Sequence, residues 1–261
     1  AIHQLVKDLA KVDRFAFDTE FIRESTFYPQ LEILQIGAHV GPKGEIQTWL
    51  IDVPAFLKLD DEGNKKPGTS LAPLIDLFVD PNILKIVHAA HGDQECLWAA
   101  FGALATPVFD TAIGASLVWL GDNIGLGNLL KQVLGIEIPK GYARTNWAKR
   151  PLPKPVLEYA ALDVKHLIEA SDVLFEKLDK EGRRDWALEL SSKFADVTLY
   201  EPPPEDIAKR LAQSGKFNVK DFLVLLELVR WREARVRELN VPRRWLADDG
   251  VLIDLAKIKP R

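Results

Sequence analysis

A chain of 261 residues that is 47% apolar and 28% charged can build one large core or two modest ones, so a globular fold and not a disordered chain is the expectation. Its formal charge of −4 excludes a globally basic coat for nucleic acid, though not a locally basic groove. A single cysteine, Cys96, excludes an intramolecular disulfide, and no apolar run reaches the roughly 18 residues that span a bilayer. Residues 1–11 carry no basic-then-apolar leader pattern, so the expectation is a cytoplasmic protein with no membrane partner, acting as a monomer.

In chain order, residues 12–21 (VDRFAFDTEF) read as a buried strand, rich in phenylalanine and bounded by charge. Residues 31–37 and 46–52 are two further strands, with a turn at 41–44, so the first three strands form a meander. A polar loop over 60–70 follows, then a helix over 71–78, a strand over 83–88, a helix over 93–101 and a short strand over 107–109. Helical periodicity then predicts helices over 112–120, 126–134 and 155–178. Strands alternating with helices predict a mixed α/β sheet. Tyr200-Glu201-Pro202-Pro203-Pro204 is a linker signal, since consecutive prolines cannot continue a helix. Three helices, over 205–213, 219–239 and 250–257, follow it.

Several residues could carry chemistry. Asp18 and Glu20 lie two apart on a strand and so point to one face, where burial is costly without a cationic partner. Alone, such a pair is also what a solvated strand end looks like. Tyr159 and Asp163 are one helical turn apart and share a face, as a half-buried tyrosine beside a surface aspartate would. Asp93 stands at a helix start, where a capping role is the simplest explanation. His88, His91 and Cys96 lack a second paired ligand set and make a poor zinc site. Asp110 reads as a helix cap and Cys96 as a buried helix residue.

In the order D-x-E, D, Y-x-x-x-D, these residues resemble the DEDD exonuclease superfamily in its tyrosine subtype. The segments DTEFIRESTFYPQLEILQIG, HAAHGDQECL and KGYARTNWAKRPLPKPVLEYAALDVKHL resemble the three motifs of the ribonuclease D family. Glu158, where a histidine subtype would differ, lies five residues before Asp163. The resemblance implies an RNase H-like mixed sheet with flanking helices over residues 1–180, a linker helix and Pro-rich linker over 181–204, and an incomplete, all-helical HRDC-like region over 205–261. It implies two divalent ions, Mg2+ or Mn2+, held by Asp18, Glu20, Asp93 and Asp163, with Tyr159 and Glu20 orienting the attacking water. It further implies removal of nucleoside 5′-monophosphates from RNA 3′ ends, with tRNA precursors as substrates.

Lys140, Arg144, Lys149, Arg150 and Lys154, interleaved with Tyr142 and Trp147, suit a single strand threading toward the cut, and equally suit a solvated loop. Arg23 and Gln30 are further candidates for terminal-nucleotide contacts. A crowd of arginines over residues 230–244 reads either as a second RNA-binding face or as a packing surface. Two other functions stay open at this stage, a DNA-directed 3′-5′ exonuclease and an inactive RNA-binding scaffold, because no residue type alone recognises a 2′-hydroxyl.

Overall fold

The structure is a computed structural model and describes residues 2–40, 44–57, 70–139 and 145–258. Most of the expected 41–44 turn and 60–70 loop, with Lys140, Tyr142 and Arg144, lies outside the described residues. Contacts divide the chain into two compact units. The first is Ala1–Ile22 with Leu31–Asp196, and the second is Arg23–Gln30 with Val197–Arg261.

The first unit opens with α1 (Ile2–Leu9), which buries Leu5 and Leu9 one turn apart. Strand β1 (Arg14–Ile22) is followed by β2 (Gln30–Val40), β3 (Glu45–Asp52), α2 (Val53–Leu57) and α3 (Ala72–Phe78). Then come β4 (Leu84–Val87), α4 (His91–Phe101), β5 (Val108–Asp110), α5 (Thr111–Leu117) and α6 (Leu126–Leu134). Helices α7 (Lys154–Lys165), α8 (Leu167–Lys180) and α9 (Arg184–Ser192) complete it. The sheet runs β3-β2-β1-β4-β5, with β3 antiparallel to β2 and β4 parallel to both β1 and β5. The expected mixed sheet with flanking helices is therefore present.

Alternation along β1 divides the core. Phe15 and Phe17 point to one face, where each meets Phe78 edge to face at 5.0 and 5.2 Å, among residues of α1, α3 and α4. Ala16 points to the other face and packs with Ile86, Phe109, Val164 and Leu167. Asp18 and Glu20 continue that second face beyond the apolar stretch, so the pleat that buries Ala16 aims both carboxylates at α7.

Two expectations about helices change. The single helix expected over 155–178 is two, broken at His166, whose backbone (φ −114°, ψ 6°) leaves the helical track. Neither proline nor glycine marks the break, so periodicity could not show it. Helix α9, which lies within the expected linker helix and linker over 181–204, packs on β5 and α5 of the first unit, with Ala187 fully buried. In the second unit, α10 (Pro204–Ala212), α11 (Val219–Leu239) and α13 (Asp249–Lys257) enclose Ile207, Leu225, Val229 and Leu252, with the short α12 (Arg243–Leu246) before α13.

Candidate active site

Three elements bring the carboxylates together. One oxygen from each of Asp18, Glu20 and Asp163 lies within 4.8 Å of the others. Asp93, in the first turn of α4, is buried beside them, and its Oδ1 accepts the Thr19 hydroxyl at 2.6 Å. Ala90, not Asp93, holds the N-cap position of α4, so the capping explanation falls away.

All four acids are held above their ordinary range, and the charges of their neighbours bear on Asp18 and Glu20. Burial raises the Asp18 carboxyl well above the usual carboxylate range, and the charges of Asp93, Asp163 and Glu20 add to it. Burial, then Asp163 and Asp93, push Glu20 up to about 8. Burial alone takes Asp163 to about 7. It also takes Asp93 to about 7 against the opposing pull of the Thr19 hydrogen bond. The Tyr159 phenol is pushed up to about 12 by burial, then by Asp163, Glu20 and Asp18, so it keeps its proton at neutral pH. Among the described residues no lysine or arginine forms an ion pair with any of the four acids. An all-oxygen set of buried acids, with no paired cation among the described residues, fits a hard divalent cation.

Residues to which the D-x-E, D, Y-x-x-x-D pattern gives no role support this centre. Gly37 of β2 lets α7 approach closely, because a Cβ there would meet the Val164 carbonyl oxygen at 2.6 Å. Asp110 caps α5 through Ala112 N–H, as expected, and also accepts from Ala89 and Ala90 N–H at 2.9 Å each. It thereby fixes the turn that launches α4 and Asp93, where Ala89 adopts φ 60°. Gln35 Nε2 donates to Asp18 Oδ2 at 3.2 Å. His88 is committed to Thr111 and the Ile124 carbonyl, and Cys96 is buried, so neither is a ligand here.

The expected nucleic-acid contacts fare differently. Trp147 is 3% exposed and packs with Ile33, Val156 and Ala160, leaving no ring face on which a base could stack. An aromatic between basic residues reads the same whether it faces solvent or core. Arg150 grips Asp52 in bidentate fashion at 2.9 and 3.0 Å, reaches Glu32 and donates to the Trp147 carbonyl, so it clamps its own loop to the sheet. Lys154 pairs with Glu158, while Lys149 is exposed. Gln30 is exposed at the start of β2. Arg23 is exposed, donates to the Phe27 carbonyl at 3.3 Å, and with Arg243 and Arg244 lines a cavity of about 330 Å³ in the second unit.

The fold and donor set make a candidate hard-cation centre on a mixed α/β sheet. Residues 1–183 match the 3′-5′ exonuclease family, and the chain belongs to that family. Its exonucleases use divalent metal ions. The chain is 35% identical over its whole length to a ribonuclease D of Sphingobium indicum, covering 65% of that protein. It is 33% identical to one of Gluconacetobacter diazotrophicus over 98% of its own length, covering 61% of the relative. The chain thus spans just under two thirds of these relatives. The crystal structure of Escherichia coli RNase D, described as an exoribonuclease involved in structured RNA processing, superposes with a TM-score of 0.82 at 27% identity, over 98% of this chain and 64% of that one. Brucella melitensis NrnC with bound Mg2+ matches at a TM-score of 0.59 and 26% identity, over 79% and 90% of the two chains. Among the described residues no helix is long and apolar enough to cross a membrane.

Proposed function

We propose that this chain is a divalent-metal-dependent 3′-5′ exoribonuclease that releases nucleoside 5′-monophosphates from RNA 3′ ends, tRNA precursors among them. The observation that carries this reading is the convergence of Asp18, Glu20 and Asp163 within 4.8 Å, with Asp93 and Tyr159 close enough to shift or share their charge. Asp18, Glu20, Asp93 and Asp163 would hold two ions, Mg2+ or Mn2+. Bound there, the ions would supply Lewis-acid stabilisation of charge on the phosphate and on the departing 3′ oxygen. Tyr159 stays protonated at neutral pH, so its hydroxyl orients the attacking water by hydrogen bonding instead of removing its proton. Glu20 orients the same water from the opposite element. Asp163, one turn beyond Tyr159, ties the phenol to the metal centre.

The sheet unit serves as the nuclease domain and the helical unit as an HRDC-like accessory. In the latter, Arg23 and Arg244 offer phosphate contacts around the cavity they line, while Arg243 on the same rim is committed to Glu233. The reading is tested by digesting matched 3′- and 5′-labelled RNA and DNA strands with Mg2+, Mn2+ or EDTA. Shortening of RNA from its 3′ end, stopped by EDTA, is the expected result. Degradation of DNA alone, products ending in a 3′-phosphate, or full turnover in EDTA would contradict it.

A further inference from the structure

Gln35 sits where a packed sheet has no need of an amide. It is fully buried, lies near the middle of β2 and pairs in register with Leu50. Because side chains alternate across a strand, Ile33, Gln35 and Gly37 face the same way. Ile33 packs with Val156 and Ala160 of α7, and Gly37 abuts the Val164 carbonyl. Gln35 therefore fills the strip between these contacts, opposite the turn of α7 that runs from Tyr159 to Asp163. Its Nε2 donates to Asp18 Oδ2 at 3.2 Å, whereas its Oε1 is buried with no partner among the described residues.

An unbranched apolar side chain of similar volume would fill this strip with no unmet hydrogen bond. A buried acceptor without a partner weakens a fold, so the packing of β2 does not explain the amide. The bond to Asp18 does. A carboxylate that binds a cation is ionised and can only accept hydrogen bonds, and the amide N–H is the neutral donor it needs. Lysine or arginine would donate as well, but its charge would compete with the cation for the same acids.

We propose that Gln35 is a positioning residue of the metal centre. It holds one oxygen of Asp18 by a charge-assisted hydrogen bond and leaves the remaining lone pairs for the cation. The inference rests on Asp18 being a cation ligand, as in the proposed function. Its readout, however, does not require catalysis.

The test is a Mg2+ titration of wild type and Gln35→Met, followed by thermal melting and anchored by a melt in EDTA. The variant is expected to melt in EDTA at or above wild type, since it keeps the volume and removes the unmet acceptor. Its Mg2+ midpoint is expected to rise about 10-fold. RNA hydrolysis should fall at limiting Mg2+ and recover at saturation, a split that lost packing would not produce. Gln35→Asn keeps an amide but withdraws it by one methylene, so its midpoint should rise too, and it decides the matter if the methionine variant does not fold. An unchanged midpoint in a folded variant overturns the role of Gln35 alone. A wild-type protein whose melting ignores Mg2+ overturns the metal centre, and this proposal with it.

Discussion

Two clusters of buried charge sit in the two units, and they resolve the same physical problem in opposite ways. In the helical unit Arg232 and Glu233 are neighbours on α11, each with a side chain only 1% exposed. Arg232 also reaches Asp249 at 2.7 Å, and Arg243 grips both oxygens of Glu233. Burial pushes the Glu233 carboxyl up, yet hydrogen bonds and charge from Arg243, with the charges of Arg232 and Arg237, hold it below its usual value. In the sheet unit four acids are driven together with no ion pair to a lysine or arginine among the described residues, and each is held above its ordinary range. A cluster balanced internally is a structural fastening. One left unbalanced is what the proposed cation would offset.

Removing one acid from each cluster should therefore give opposite results. Asp163→Asn deletes a proposed ligand and one acidic charge, so hydrolysis of labelled RNA is expected to fall about 10³-fold, as loss of about 4 kcal/mol of transition-state stabilisation implies. Its melting temperature in EDTA should hold or rise. Glu233→Gln instead strips the arginines of their buried counter-charge and should destabilise the helical unit by about 3–5 kcal/mol. The cation site in the sheet unit should still bind Mg2+. If both variants behaved alike in the two assays, the distinction between fastening and site would collapse.

Tyr159 sharpens the contrast within the site. Phenylalanine keeps the ring and removes only the hydroxyl, so Tyr159→Phe should lose about 10²-fold in single-turnover rate. Its melting and RNA affinity should match wild type. Altered stability with a preserved rate would identify a packing tyrosine and remove the phenol from the mechanism.

The legible part of this molecule was local. Asp18 with Glu20, and Tyr159 with Asp163, announce themselves because strand and helix periods place each pair on one face. Asp93 was visible only through the motif around it. Gln35, Gly37 and Thr19 lie within the first motif, yet their roles were invisible, since those arise where β1, β2, α7 and α4 converge. Trp147 and Arg150 misled for a related reason. Their sequence context is basic and aromatic, but the loop turns inward, burying the ring against Val156 and spending the guanidinium on Asp52. The helices α1 and α2 were missed because they are short.

The central claim, that the sheet unit's acids are balanced only by an added cation, is tested most directly by melting across pH with EDTA or with Mg2+. The folded state holds Glu20 near 8 against an ordinary 4.5, and Asp93 and Asp163 near 7 against 3.8. Raised values mean that the fold favours the protonated forms. Their stabilising contribution is complete below about pH 4 and is lost as pH rises toward 7 to 8. Melting in EDTA should accordingly decline across that window, and Mg2+ should offset the decline, with a shift that grows as the acids ionise. Parallel curves, with a Mg2+ effect independent of pH or absent, would contradict the account.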